Sequence, residues 1–179
     1  ACTDAPLSCY LLGAGGASVQ AAYLLLACAL AALGAGYYRA LAPPARSAAP
    51  LLLFVAAGLA LAVTALARTD VPERPSNLAG YVHGVAASAS FLCATCAMLL
   101  QSWRLRGDPR WRGRFALGLA WAGACFAGMW LQVLWRAPLR GLEQKLLILL
   151  IAGWLAWAAD GLRRCVGRPD CQTSNRGAA

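Results

Sequence analysis

Charge is scarce in this chain: seven acidic residues, sixteen Lys and Arg and a single histidine among 179 residues. With 13% charged residues, 60% hydrophobic and a mean hydropathy of +0.58, there is too little polarity for a soluble domain of this size. Disorder, a coiled coil and a secreted disulfide scaffold are excluded on the same grounds. Period-two alternation is also missing, so no barrel strand is encoded. No internal repeat is visible, which leaves an inverted-repeat transporter without support. No GxSxG elbow exists for a serine nucleophile, and neither HExxH nor a second histidine exists for zinc.

What is abundant is uninterrupted apolar chain. Five segments, about 17–38, 50–67, 79–101, 115–135 and 142–162, approach the twenty or so residues that cross about 30 Å of hydrocarbon. Punctuation separates them: Pro43, Pro44 and Pro50, then Pro72 and Pro75, then Asp108 and Pro109, then Pro138 and Gly141. In lipid each backbone amide and carbonyl needs a partner within its own segment, so all five must be helices. The expected fold is all-α, a polytopic transmembrane helix bundle. Small residues from Gly84 to Ser90 and from Gly118 to Gly128 let backbones approach, which favours a compact bundle. Residues 1–16 are too short and Gly-rich to span and form an N-terminal segment, and 163–179 form a tail. The chain begins with Ala, which a cleaved leader or an additional N-terminal helix would explain.

Orientation follows from Lys and Arg in the connections. Arg39, Arg46, Arg104, Arg106, Arg110, Arg112, Arg114, Arg163, Arg164, Arg168 and Arg176 fall on one side, against Arg68, Arg74, Arg136, Arg140 and Lys145 on the other. The first side is predicted cytoplasmic, with the N-terminus of this chain outside and the C-terminus inside. The Arg-rich stretch around Trp103 to Arg114 then meets anionic lipid headgroups, and nucleic acid is not expected as a partner. Trp130, Trp135, Trp154 and Trp157 read as interface anchors or packing, and Asp160 as a helix-end ion pair with Arg163 or Arg164.

Sorted by depth, the polar residues collect on the outer side. Gln20, Tyr23, Thr64, Arg68, Asp70, His83, Ser88, Ser90, Gln132, Glu143, Gln144 and Lys145 lie there, and the inner halves offer little beyond Thr95 and Gln101. Polar groups at membrane depth are costly and normally face the bundle interior or a wet cavity. His83, Ala87, Ser90 and Ala94 share one helical face of small residues, which favours an inward His83. Asp70, His83 and Glu143 form a candidate acid/base cluster, because a carboxylate beside an imidazole orients the ring and raises its basicity. The alternative is a structural hydrogen bond, for instance from His83 to Asp70, holding the second connection against the third helix. A mixed His/carboxylate metal site is the weaker arrangement, and neither metal nor cofactor is expected. Cys2 and Cys9, on the oxidising side, are candidates to pair; Cys165 and Cys171 are expected reduced, and Cys93, Cys96, Cys28 and Cys125 to be packing residues.

The run Arg68-Thr69-Asp70-Val71-Pro72, followed by Gly80-Tyr81-Val82-His83, resembles the signature of a prokaryotic multi-pass membrane family catalogued as domain of unknown function 998. Pro6 to Gly13, containing Ser8, and Gly141-Leu142-Glu143-Gln144-Lys145 followed by Trp154 resemble two further segments of that family, although Lys145 stands where the family usually has Arg. The resemblance implies about six helices, one of them ahead of Ser8, and carries over Ser8, Asp70, His83 and Glu143 as the polar set.

The expectation is therefore a multi-pass protein of the bacterial cytoplasmic (inner) membrane with an outward-facing polar pocket. It would bind or process an amphiphilic, lipid-like ligand, with Ser8, Arg68, Arg74, Gln132 and Arg136 as ligand contacts. A structural subunit of a membrane complex, in contact with other membrane proteins, and a proton-coupled transporter are the alternatives.

Overall fold

A computed structural model describes residues 15–67, 77–134 and 140–166. Among them are five helices and no strand: α1 Gly16–Ala40, α2 Ala48–Leu66, α3 Leu78–Leu105, α4 Arg112–Leu134 and α5 Arg140–Val166. All five are long and apolar enough to cross a membrane. The expected all-α bundle is what forms, and the chain is a membrane protein.

Local chemistry sets the helix ends. Pro43 and Pro44 cannot donate to a continuing helix, so α1 stops short of them. Ser47 then caps α2, its hydroxyl accepting the Ala49 amide at 3.3 Å, and Asn77 caps α3 by accepting the Gly80 amide at 3.0 Å. The spacing suggests that α3 ends near residue 101, yet it runs on to Leu105. The last turn packs inward through Leu105, 1% exposed, and carries Gln101 and Ser102 into the bundle, where they are 3% and 0% exposed.

Each helix packs on its neighbour in sequence, and α5 closes the ring on α1. The starts of α1, α3 and α5 and the ends of α2 and α4 form one end of the bundle, called here the His83 end. The opposite end is the Asp108 end. Gly58 lets α1 and α2 touch, since a Cβ there would lie 2.6 Å from the Ala27 carbonyl oxygen. Side chains also donate to the carbonyls of neighbouring helices: Ser90 to Ala57 (3.1 Å), Trp121 to Leu150 (3.0 Å), Trp154 to Gly118 (3.0 Å) and Tyr37 to Ala158 (3.1 Å). In hydrocarbon such bonds and close packing hold helices together, because lipid supplies little hydrophobic drive between them.

At the Asp108 end a single carboxylate locks two connections. Asp108 is 1% exposed. It accepts the Ala42 amide at 2.9 Å, the Arg110 amide at 3.0 Å, and the Arg110 guanidinium through Nε at 3.1 Å and Nη2 at 2.8 Å. The same Nη2 donates to the Ala40 carbonyl at the end of α1 (2.9 Å). Burial pushes the Asp108 pKa up, but the bonds from the Arg110 side chain and the Ala42 and Arg110 amides outweigh it and hold the group below its ordinary value of 3.8. The expected ion pair of Asp160 forms with Arg164, at 2.8 Å.

Two details at this end were not foreseen. Asp108, read from sequence as punctuation, is a buried anchor. Cys165, expected reduced, is disulfide-bonded, a state normally kept in oxidising compartments.

Candidate functional site

A cavity of about 280 Å³ opens inside the ring, between α1, α2, α3 and α5. From α3 come His83, Ala87, Ser90 and Ala94, the small-residue face read from the sequence; α4 contributes nothing. This arrangement follows from composition, since side chains of that size leave space where larger ones would meet across the ring. Leu30, Ile151 and Leu155 are buried on its wall, and Tyr23 and Gln144 stand half-buried nearer the His83 end. At the base of the cavity, toward the Asp108 end, Leu33 and Met98, one turn beyond the wall residues Leu30 and Ala94, pack with Phe54 and Trp154 in the buried core, with exposures of 8%, 0%, 0% and 0%. The cavity is therefore closed toward that end.

His83 is 6% exposed and its Nδ1 lies 3.0 Å from the Ala67 carbonyl oxygen. A carbonyl only accepts, so Nδ1 carries the proton, and in the neutral ring the lone pair belongs to Nε2. Ala67 is the residue that ends α2, so the ring also satisfies a carbonyl that the helix itself leaves open. His83 thus ties α2 to α3 through a backbone atom while it faces the cavity.

The other polar groups divide between wall and scaffold. Thr64 and Ser90 line the cavity but spend their hydroxyls on the carbonyls of Ala60 (2.8 Å) and Ala57 (3.1 Å). Gln20 braces α1 on α2 by donating to Ala65 (3.0 Å), and exposed Ser88 bonds within its own helix. Of the candidate residues, His83 is on the wall, Glu143 is half-buried on α5 beside the wall residue Gln144, and Gln132 is half-buried on α4, which does not reach the cavity. One residue along a helix is about 100° of rotation, which separates Glu143 from Gln144. Ser8, Arg68, Asp70, Arg74 and Arg136 lie outside the described residues, as do Cys2 and Cys9. Among the described residues no group of three His, Cys, Asp or Glu side chains is arranged to hold a metal. The described lining residues carry no Arg, Lys, Asp or Glu.

Residues 2–160 match the family described as protein of unknown function (DUF998). The chain belongs to that family. No curated protein and no solved structure matches it. For this DUF998 member the site must therefore be read from its own geometry: an apolar cavity, closed at one end, with a buried imidazole and a few neutral polar groups toward the other.

A second set of buried polar groups, of which the sequence pointed only to Gln101, lies toward the Asp108 end. Gln101 Nε2, Ser102 Oγ and Trp111 Nε1 have no hydrogen-bond partner, and their residues are 3%, 0% and 2% exposed. Gln101 and Ser102 look like helix-end residues in the sequence. The extra turn of α3 carries Ser102 into the interior beside Gln101.

Proposed function

We propose that this protein binds an amphiphilic molecule in the cavity, with the apolar part against Leu30, Leu61, Phe91, Ile148 and Leu155 and the polar end beside His83 and Gln144. The observation that carries this reading is the buried His83 on the wall of an otherwise mostly apolar cavity, its Nδ1 committed to a carbonyl and its Nε2 left with the lone pair. Ligand pockets commonly have this makeup, an apolar lining with a few placed polar groups. Nε2 accepts a hydrogen bond from a hydroxyl or amide on the ligand. In an enzyme it would serve as general base toward the same proton. Of the carboxylates expected beside it, Glu143 does not reach the wall and Asp70 lies outside the described residues.

The Ala67 bond favours a second reading, in which His83 is a structural pin of a membrane-complex subunit. Asparagine separates the two, because its amide nitrogen sits where Nδ1 stands but nothing replaces Nε2. His83→Ala should lose the bond to Ala67 and about 1–3 kcal/mol of stability. His83→Asn should keep the fold yet lose the amphiphile that copurifies with the wild type in native lipid particles, as read by mass spectrometry. Retention of the same molecule by a folded His83→Asn protein would leave only the pin.

We place the Asp108 end in the bacterial cytoplasm. Arg39, Arg46, Arg104, Arg106, Arg110, Arg112, Arg114, Arg163 and Arg164 all belong to helix ends or connections on that side, and they span three separate stretches of chain. The cavity then lies in the outer leaflet of the inner membrane. The disulfide of Cys165 favours the reverse. An Arg110→Cys protein in intact cells should resist membrane-impermeant maleimide until the membrane is permeabilised. Labelling before permeabilisation would invert the topology.

A further inference from the structure

Among the described residues, the wall between α1 and α5 is packed shut toward the Asp108 end and flanked by exposed alanines toward the His83 end. Ala22, Ala29 and Gly36 repeat every seven residues and so share one flank of α1, drifting by about 20° per repeat. At Gly36 that flank meets α5, where a Cβ would lie 3.0 Å from Leu162 Cδ1, and next to it Tyr37 donates to the Ala158 carbonyl at 3.1 Å. Ala29 and Ala22, nearer the His83 end, are exposed. The facing side of α5 changes in the same direction. Leu155 and Ile151 are buried, Ala152 is exposed although it lines the cavity, and Ile148 and Gln144 are half-buried.

The two helices run parallel, and 14 residues separate Tyr23 from Tyr37, as they do Gln144 from Ala158. That is about 21 Å of helix. Among the described residues the seam is shut at the Tyr37–Ala158 level and flanked by exposed Ala22, Ala29 and Ala152 at the level of the cavity. On α1 the wall runs from Tyr23 to Leu30 and on α5 from Gln144 to Leu155, which is about 10 Å and about 16 Å of depth. That is about a third to a half of a hydrocarbon core about 30 Å thick, so the opening faces mainly the chains of one leaflet.

Size and charge narrow the occupant. A cavity of about 150 Å³ takes one benzene, so about 280 Å³ takes on the order of ten carbons, one chain segment and not two side by side. Among the described residues the lining carries no Arg, Lys, Asp or Glu, which leaves a buried ionic headgroup without a counter-charge there.

We propose that one apolar chain of a bilayer-resident lipid enters the cavity sideways through the α1–α5 seam, while its headgroup stays at the His83 level and any second chain remains in the bilayer. This rests on the ligand reading above and adds the source and route of the ligand.

The test uses the full chain in nanodiscs of phosphatidylethanolamine and phosphatidylglycerol doped with phosphatidylcholine bearing a diazirine on one acyl chain. After photolysis, peptides are mapped by mass spectrometry. Wild type should be labelled at Leu30, Ile151 and Leu155, which are 3%, 8% and 9% exposed and out of reach of lipid on the outer surface. It should also be labelled at exposed Leu25 and Leu149, which report ordinary lipid contact. Ala152→Trp and Ala22→Trp narrow the seam from opposite sides. Each should reduce labelling of the three cavity residues about tenfold, the equivalent of about 1.4 kcal/mol, and leave Leu25 and Leu149 unchanged. Ala94→Phe, which fills the cavity and leaves the seam alone, should reduce the same three. Cavity labelling that survives both seam variants but falls in Ala94→Phe overturns the lateral route and leaves the ligand reading standing. No cavity labelling in the wild type overturns both.

Discussion

Trp154→Ala should lower the stability of the bundle by about 3 kcal/mol, the low end of such truncations in soluble cores, because in hydrocarbon only packing and hydrogen bonding are lost. The indole is 0% exposed, stands 6.3 Å from the Phe54 ring and 6.2 Å from the Trp157 ring, and donates to the Gly118 carbonyl at 3.0 Å. Truncation removes the largest side chain in the layer that closes the cavity toward the Asp108 end. The measurement is thermal or sodium dodecyl sulfate unfolding in mixed micelles. Trp154→Phe keeps most of the volume and gives up the Nε1–H bond, so about 1 kcal/mol should go. An alanine variant as stable as wild type would mean that this layer does not hold the helices together.

Asp108→Asn should cost about 1–3 kcal/mol at neutral pH, since one oxygen still accepts but the second becomes an amide facing the Arg110 guanidinium. Its pH dependence is more diagnostic than its size. The Asp108 carboxyl titrates below 3.8 when folded, so the unfolded chain binds the proton more readily. The contribution is therefore fully present above the unfolded value and is lost as pH falls through 3.8 toward the lower folded one. Wild type should lose this increment below about pH 4, and Asp108→Asn should lack that part of the slope. Acid unfolding curves that superimpose once shifted for stability would show that the carboxylate charge contributes nothing, and that neutral hydrogen bonds hold the two connections.

The placement of His83 shows how far a sequence reading reaches. Its inward face was legible because His83, Ala87, Ser90 and Ala94 recur at helical spacing, and all four line the cavity. Its partner was not. The Ala67 carbonyl has no side-chain signature, and the helix end that leaves it open becomes visible only when α2 stops at Leu66. On α5, Gln144 and not its neighbour Glu143 reaches the wall, a matter of helix phase that depends on how α5 leans on its neighbours. Asp108 was hidden for a different reason. A DP turn between apolar runs reads as a loop in any sequence, and its role arises because the α1–α2 connection, 66 residues earlier, presents the Ala42 amide to it.

The sequence by itself determined that this is a multi-helix membrane protein and approximately where its five helices lie. Length, hydropathy and the need to satisfy every backbone group in hydrocarbon leave no other fold for such a chain. Its local motifs also carried the family resemblance. Tertiary structure alone decided which polar groups meet, that α1 and α5 touch at Gly36 and Tyr37, and that a cavity with Phe54, Met98 and Trp154 packed at its base lies among α1, α2, α3 and α5. The helices are apolar almost all round, because lipid faces and packed faces are made of the same residues. Periodicity therefore carries little information about which side turns inward, and the closest approach of backbones at small residues such as Gly58 and Gly34 settles it.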